Sequence, residues 1–274
     1  MDYKIIASDL DGTLLCGKDQ VSPENWKAIA ELKERGIHFV PASGRAYTEM
    51  PPCLRESPLI RYYITSDGAT VYDKETDTTH ELPLPKEKGH HVLDVLFRHP
   101  ICLMLHADTG CYVEATHHDA QVYARYNLNA IWTEYALAYS RPTKDLQAFA
   151  YSLERIQSLV PFFQNKADRE FCKTLFMSDP ELIVAETDPH NLEIFSAQAG
   201  KGNALMLLAD LLGVDRKATI AVGDSTNDST MIQAAGLGLC MANSVPELKA
   251  IADREVCHYK EHVAKYILEN IIDK

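Results

Sequence analysis

The sequence of 274 residues is long enough for one large domain or two modest ones. Hydrophobic residues make up 46% of it and charged residues 24%, a balance that excludes a disordered or low-complexity chain. Acidic residues outnumber basic ones by 39 to 27, and no basic cluster interrupts the net charge of −12. Nucleic acid and anionic membranes are therefore not expected partners.

The seven cysteines are scattered and include no Cys-x-x-Cys pair, which argues against a disulfide framework or a zinc knuckle. The first residues lack the basic and apolar regions of a secretory signal. No apolar run approaches the roughly 18 residues of a membrane-spanning helix. We therefore expect a cytoplasmic protein without a membrane segment.

The first part of the chain alternates short apolar runs with amphipathic segments. Its predicted elements are a strand at 3–8, a helix that Ser22 caps and Gly36 ends, strands at 37–42 and 62–65, and a hairpin within 70–82. Strands that alternate with helices in this way are typical of βαβ units, so we expect a parallel sheet.

The sequence pattern changes between residues 84 and 188. The predicted elements there are strands at 101–106, 111–115 and 172–177 and helices at 118–126 and 144–159. Pro83, Pro85 and Pro189 are candidate hinges at its ends. We interpret 84–188 as an inserted α+β cap domain in a core formed by 1–83 and 189–274.

The βα alternation resumes after the insertion. The predicted elements are a helix at 203–212 closed by Gly213, a strand at 219–222, a helix at 228–235, a strand at 237–241 and a terminal helix with a buried stripe at Val263, Ile267 and Ile271. The predicted fold class is α/β, with a doubly wound, mainly parallel, Rossmann-like core and an inserted α+β cap domain.

Four polar clusters fall just after predicted strands or before predicted helices. They are Asp9-Leu10-Asp11-Gly12-Thr13, Ser43-Gly44-Arg45, Lys201-Gly202 and Gly223-Asp224-Ser225-Thr226-Asn227-Asp228. In open α/β sheets, ligands bind at the carboxyl ends of the strands. Carboxylates that converge there require a hard cation with oxygen ligands, and Mg²⁺ fits best. With it, Lys201, a serine hydroxyl and loop amides can orient a phosphoryl group.

These residue types suggest catalytic roles. Asp9 is the candidate nucleophile, because an ionised carboxylate can form an acyl-phosphate. Asp11 can protonate the leaving alkoxide and later deprotonate the attacking water. Asp224 would complete the magnesium ligands, and Asp228 would steady Asp224 or Lys201 while also capping the following helix.

At these residues the sequence resembles the haloacid dehalogenase-like phosphohydrolases, specifically the Cof-type subfamily IIB sugar phosphatases with a C2B cap. The resemblance covers the whole chain and rests on four motifs in order. They are Asp9-Leu-Asp11-Gly-Thr13-Leu14, Ser43-Gly44-Arg45, Lys201-Gly202-Asn203-Ala204-Leu205 and Gly223-Asp224-Ser-Thr-Asn227-Asp228. The cap is expected between the second and third motifs, because 158 positions separate Ser43 from Lys201 and only 34 separate Asp9 from Ser43.

The resemblance also implies ligands for the site. Magnesium would be held by the Asp9 carboxylate, the Asp11 backbone carbonyl and Asp224. Ser43 and Lys201 would hold the phosphoryl group. Gly44, Arg45 and Asn227 complete the implied substrate site, with Thr13 and Asp228 in support.

We therefore predict a magnesium-dependent enzyme that hydrolyses small phosphomonoesters, with sugar phosphates foremost, through an aspartyl-phosphate on Asp9. The alternatives are a phosphosugar mutase of the same cap class and a non-enzymatic sensor of phosphorylated metabolites. The sequence leaves the substrate and the oligomeric state open.

Two positions depart from the family pattern. Asp67-Gly68-Ala69 stands where Cof-type chains usually have Asn-Gly-Ala, and Glu261-His262-Val263 stands where Asp-Gly-Val is usual. Either Asp67 disfavours strongly anionic leaving groups, or it only accepts hydrogen bonds in a turn. The effect of His262 is open.

Overall fold

A computed structural model describes residues 2–17, 19–107 and 109–274. The chain divides into two compact units: a core unit, Met1–His80 with Ala199–Lys274, and an inserted unit, Glu81–Gln198. The boundaries predicted at 84 and 188 both lie inside the inserted unit. The second predicted boundary lies ten residues before Gln198, the end of the inserted unit. The difference arises because the strand Glu193–Ser196 pairs with Ser158–Phe163 and so belongs to that unit.

The elements are numbered in chain order. The strands are β1 (Ile5–Ser8), β2 (Leu15–Gly17), β3 (Gln20–Val21), β4 (His38–Pro41), β5 (Tyr62–Thr65), β6 (Thr70–Asp73), β7 (Thr78–Glu81), β8 (Ile101–Ala107), β9 (Gly110–Glu114), β10 (Arg141–Thr143), β11 (Ser158–Phe163), β12 (Leu182–Ala185), β13 (Glu193–Ser196), β14 (Thr219–Gly223), β15 (Leu237–Cys240) and β16 (Arg254–Glu255). The helices are α1 (Pro23–Glu34), α2 (Pro52–Arg55), α3 (Lys86–Leu96), α4 (Ala120–Arg125), α5 (Ala130–Tyr139), α6 (Leu146–Ser152), α7 (Lys166–Met177), α8 (Lys201–Leu212), α9 (Ser229–Ala234), α10 (Pro246–Lys249) and α11 (Val263–Ile267).

The core unit contains a parallel sheet with the strand order β16-β15-β14-β1-β4. Side chains of β1 alternate between its faces, as strand geometry requires. Ile6 packs with Ile29 of α1 and Ile267 of α11. Ile5 lies on the other side with Leu205 of α8. Helices therefore cover both faces, and the predicted doubly wound α/β fold is confirmed.

The inserted unit is built on a mixed sheet with the order β10-β9-β8-β11-β13-β12. Only β10 and β9 pair in parallel; the other neighbours are antiparallel. One apolar cluster joins this sheet to α3 and α7, and another joins it to α4 and α5. The predicted α+β character of the insertion is confirmed.

Two elements predicted for the insertion are wrong. Residues 172–177 belong to the helix α7 because Cys172 and Phe176, four residues apart, are both buried while Phe171 and Leu175 are exposed. The helix predicted at 144–159 ends at Ser152, and β11 follows. Every residue of β11 is buried, so neither face of this strand shows the polar alternation that would distinguish it from a buried helix.

The two predicted signals at the ends of α1 are confirmed. The Ser22 side chain caps the helix by accepting a hydrogen bond from the Asn25 amide, and Gly36 adopts a φ of 73° just after it. Among the described residues, no helix is both long and apolar enough to cross a membrane.

The fully buried Asn25 links α1 to two distant segments. Its Nδ2 donates to the Leu14 carbonyl in the loop after β1, and its Oδ1 accepts from the Ala264 amide in α11. Because a buried backbone group without a partner is costly, Asn25 satisfies a carbonyl and an amide that the helices and strands leave open.

Replacing Asn25 with alanine is expected to lower the free energy of unfolding by about 2–4 kcal/mol, since two buried backbone groups lose their partner. Urea unfolding measures this loss. Asn270→Ala is the matched control, because Asn270 donates a single bond to the Tyr266 carbonyl and is not fully buried; a loss below about 1 kcal/mol is expected there. Equal losses in the two variants would contradict the role given to Asn25.

Candidate active site

The predicted clusters lie at the carboxyl ends of the parallel strands. Asp9 directly follows β1, and its amide donates to the Val222 carbonyl of β14. Ser43 follows β4 and donates its amide to the Ile64 carbonyl of β5. Asp224 follows β14. Since neighbouring parallel strands end at one edge, the sheet brings these three loops together.

Lys201, the first residue of α8, is the centre of the cluster. Its side chain is completely buried. Its Nζ lies 2.8 Å from Asp9 Oδ1 and 2.6 Å from Asp228 Oδ1. A buried ammonium group is tolerated only when paired, and these two carboxylates provide the pairing.

Asp228 connects the lysine to the loop after β14. Its Oδ2 accepts hydrogen bonds from the amides of Asp224, at 2.9 Å, and Ser225, at 3.1 Å. Gly223 permits this approach, because a Cβ at that position would lie 2.4 Å from the Asp228 carboxyl carbon. Asp228 therefore contacts both groups that the sequence predicted it would steady.

Asp224 and the loop after β1 face each other closely. Gly12 has a φ of 86°, and a Cβ there would lie 2.3 Å from Asp224 Oδ2, so glycine is favoured at this position. Thr13, next to it, is fully buried. Asn243 bridges the two loops, since its Nδ2 donates to the Gly12 carbonyl at 2.9 Å.

The acidic residues fit a divalent cation. Asp9, Asp224 and Asp228 each offer a carboxylate oxygen within 4.8 Å of the others. Asp228 is already engaged with Lys201 and two amides, whereas Asp224 Oδ1 is buried without a hydrogen-bond partner among the described residues. A buried carboxylate oxygen left in this state suits a hard cation.

Burial and the neighbouring carboxylates raise the pKa values of two acidic residues in this site. Burial raises the pKa of Asp9 well above its usual value, and the nearby carboxylate of Asp228 adds to this, against the opposing effect of Lys201. Burial, with Asp228 next, raises the pKa of Asp224 to about 7. Without a cation, the cluster therefore holds protons near neutral pH.

Burial and the neighbouring charges have opposing effects on the pKa of Lys201. Burial by itself lowers the pKa of its ammonium group. The negative charges of Asp228, Asp9 and Asp67 outweigh burial, so that the pKa lies well above the usual range. Lys201 is therefore a fixed positive charge.

Asp11 and Arg45 pair with each other at the rim of this cluster. Arg45 donates from Nε to Asp11 Oδ2 at 3.1 Å and from Nη2 to Asp11 Oδ1 at 2.8 Å. Its Nη1 binds Asp19 at 2.7 Å. The Asp11 side chain is 58% exposed, so it stays open to solvent. Arg45, predicted to contact substrate, contacts these two carboxylates here.

Ser43, Gly44 and Asn227 meet around Asp67. The Ser43 hydroxyl accepts from the Arg45 amide, and the Ser43 carbonyl accepts from the Asp67 amide. A Cβ added to Gly44 would lie 3.0 Å from Asp67 Oδ2. Asn227 Nδ2 donates to Asp67 Oδ1 at 3.1 Å.

The structure adds three residues to the predicted set. In the sequence Asp67 stands out only as a departure from a family pattern, and Asn243 and Asp19 belong to none of the four motifs. Asn243 lies shortly after β15, so the rule that ligands bind beyond strand ends could have found it. Asp19 carries no such signal.

A doubly wound parallel sheet with a lysine and carboxylates at its carboxyl edge is the architecture of an α/β enzyme, whose ligands bind at that edge. The chain matches the family model described as haloacid dehalogenase-like hydrolase over residues 6–267. The chain belongs to this family, and it is a hydrolase of the phosphatase class, as the sequence predicts.

Similar proteins agree with this assignment. The phosphatase YwpJ of Bacillus subtilis is 27% identical, with 98% of this chain and 100% of the relative covered. A solved haloacid dehalogenase-like hydrolase from B. subtilis has a TM-score of 0.84 and 26% identity, and covers 98% of this chain and 100% of its own. The HAD subclass IIB sugar phosphatase BT4131 has a TM-score of 0.81 at 17% identity, covering 97% and 98%, which shows the shared fold.

In the presence of a chelator, stability is expected to fall as the pH rises from 4 to 8. The Asp224 carboxyl has an ordinary pKa of 3.8 and a folded value of about 7, so between these values the folded chain holds a proton that the unfolded chain has lost. The stabilising effect is complete below pH 3.8 and is lost as the pH passes 7.

Thermal unfolding scans of the wild type and Asp224→Asn test this expectation. The wild-type Tm should fall by roughly 5 °C more than that of the variant over this range. Added Mg²⁺ should raise the Tm of the wild type at pH 8 and should change the Tm of the variant only slightly. The same pH slope in both proteins would contradict the assigned pKa shift.

Proposed function

We propose that this chain hydrolyses small phosphomonoesters through a covalent aspartyl-phosphate on Asp9. The observation that carries the proposal is the buried contact of 2.8 Å between Asp9 and Lys201, made beside Asp224 at the carboxyl edge of the sheet. A nucleophilic carboxylate, a fixed positive charge and a second acid are then within one site. This is the minimal set for phosphoryl transfer by way of a carboxylate.

In the first half-reaction, an oxygen of Asp9 forms a bond to phosphorus as the bond to the ester oxygen breaks. The ester oxygen leaves with the electron pair and takes a proton from Asp11. Lys201 opposes the rise in the pKa of Asp9 that burial and Asp228 cause, and its charge attracts the phosphoryl oxygens.

In the second half-reaction, water attacks the phosphorus of the aspartyl-phosphate. Asp11 takes a proton from this water, the bond between phosphorus and Asp9 breaks, and inorganic phosphate and the free carboxylate are formed. Arg45 positions Asp11 through its two hydrogen bonds. The carboxylate that Asp11 becomes in the first step is the base that the second step needs, and the proton taken from water restores the acid for the next turnover.

Phosphatases of this family generally depend on a metal ion, and we propose Mg²⁺ here. The carboxylates of Asp9 and Asp224 and the carbonyl of Asp11 would hold it, and the unpartnered Asp224 Oδ1 supports this choice. When bound, the ion neutralises carboxylates and polarises the phosphoryl oxygens. Ser43 and Asn227 would donate to the remaining phosphoryl oxygens.

Small sugar phosphates are the proposed substrates, and the reducing cytoplasm is the proposed location. Support for the location comes from the seven cysteines, all of which are free thiols.

Release of inorganic phosphate from a panel of sugar phosphates tests the substrate class. Formation of an isomeric sugar phosphate in its place would favour the mutase.

Asp9→Asn is expected to reduce the turnover of p-nitrophenyl phosphate in Mg²⁺ by at least about 10³-fold, because an amide cannot form the acyl-phosphate. The release of p-nitrophenol measures this. Asp210→Asn, at an exposed position of α8, is the matched control and should keep full activity. Undiminished turnover by a folded Asp9→Asn variant would contradict the proposed nucleophile.

Asp11→Asn is expected to lower kcat/KM more for substrates with a poor leaving group than for substrates with a good one. An alkoxide leaving group needs a proton, so kcat/KM for a sugar phosphate should fall by about 10²- to 10⁴-fold. The p-nitrophenolate leaving group needs little help, so its kcat/KM should fall much less. Equal losses for both substrates would argue that Asp11 does not act as the general acid.

A further inference from the structure

The turn after β5 has an unusual backbone. Ser66, Asp67 and Gly68 adopt φ values of 49°, 52° and 85°, so three successive residues lie in the left-handed region. This conformation is unfavourable for residues that carry a Cβ, and it persists only where the surroundings hold it. Asp67 is moreover 1% exposed. The chain therefore maintains a strained turn in order to place a carboxylate inside the protein.

Neighbouring loops hold this turn from two sides. The Ser66 amide donates to the Arg45 carbonyl at 2.9 Å, and the Asp67 amide donates to the Ser43 carbonyl at 3.1 Å. A Cβ added to Gly68 would lie 2.3 Å from the Gly200 carbonyl carbon, directly before α8. The turn is therefore fixed between the loop that carries Ser43 and the start of the helix that carries Lys201.

The Asp67 carboxylate points into the proposed phosphoryl site. Its Oδ1 accepts from Asn227 Nδ2, and Asn227 Oδ1 accepts from the Ser225 hydroxyl at 2.7 Å. The orientation of the Asn227 amide is thus fixed, with one N–H left for a ligand. Among the described residues, Asp67 forms no ion pair with lysine or arginine. Lys201 interacts electrostatically with Asp67 without forming an ion pair with it.

We propose that Asp67 sets how strongly the site retains a phosphoryl group: its buried negative charge beside Ser43, Lys201 and Asn227 weakens the binding of inorganic phosphate, the product, and so favours its release. This inference rests on the proposed function, which places the phosphoryl group among these residues. A carboxylate fixed near a phosphate dianion repels it in a site with little water to screen the charge.

Substitution can separate the effect of the Asp67 charge from the effects of its hydrogen bond and its backbone conformation. Asparagine keeps an oxygen that accepts from Asn227 and tolerates the left-handed backbone, but it removes the charge. Glycine relieves the backbone strain and removes both the charge and the hydrogen bond. Asp67→Asn therefore isolates the charge, and Asp67→Gly provides a second uncharged variant that folds without strain.

The experiment measures the binding of inorganic phosphate in Mg²⁺, both by calorimetry and as inhibition of p-nitrophenyl phosphate hydrolysis. Asp67→Asn is expected to bind phosphate about tenfold more tightly than the wild type, with KM lowered by a similar factor and kcat not increased. Asp67→Gly should change phosphate binding in the same direction. Asp77→Asn is the matched control, because Asp77 also has a φ of 52° but contacts Tyr72.

An unchanged or weaker phosphate affinity in both Asp67 variants overturns the inference and leaves Asp67 as a structural turn residue. Absence of phosphate binding by the wild type and the variants also overturns it. Failure of the proposed function gives a different result: no ester would be hydrolysed by the wild type, while calorimetry would still show the tighter binding by Asp67→Asn.

Discussion

The site is organised around the buried ammonium group of Lys201. Removing such a group from water costs several kcal/mol unless carboxylates compensate, and Asp9 and Asp228 do so at 2.8 and 2.6 Å. These partners come from the first and the last part of the core unit. Close packing of carboxylates in the same cluster explains why glycine occupies positions 12 and 223, because a Cβ there would meet the side chains of Asp224 and Asp228.

One lysine does not balance the carboxylates that gather around it. Burial raises the pKa values of Asp9 and Asp224, and the neighbouring carboxylate of Asp228 raises both further. The buried Asp224 Oδ1 also lacks a hydrogen-bond partner among the described residues. A divalent cation would relieve the repulsion and return Asp9 to its ionised form. The same imbalance that destabilises the metal-free site thus makes the nucleophile dependent on the cation.

The sequence predicts most of the core and the neighbourhood of the site, because strand ends in a doubly wound sheet share one edge. It is wrong for two elements of the insertion, because β11 and α7 have apolar patterns that fit either strand or helix. It also misses the pairing of Arg45 with Asp11 and of Asn227 with Asp67. The second pair is 160 positions apart, and only folding shows that a side chain from one loop reaches the other.

At the turn of Asp67, the contacts that stabilise the fold are separate from the charge that affects phosphate binding. Its backbone is held by the amides of Ser66 and Asp67 and by the close packing of Gly68 on Gly200, and none of these contacts involves the carboxylate. Asparagine can occupy the same left-handed position and accept the same hydrogen bond from Asn227. The charge at position 67 can therefore be removed without changing the backbone or this hydrogen bond. A single position can then adjust how the site binds phosphate without altering the strands and helices that build it.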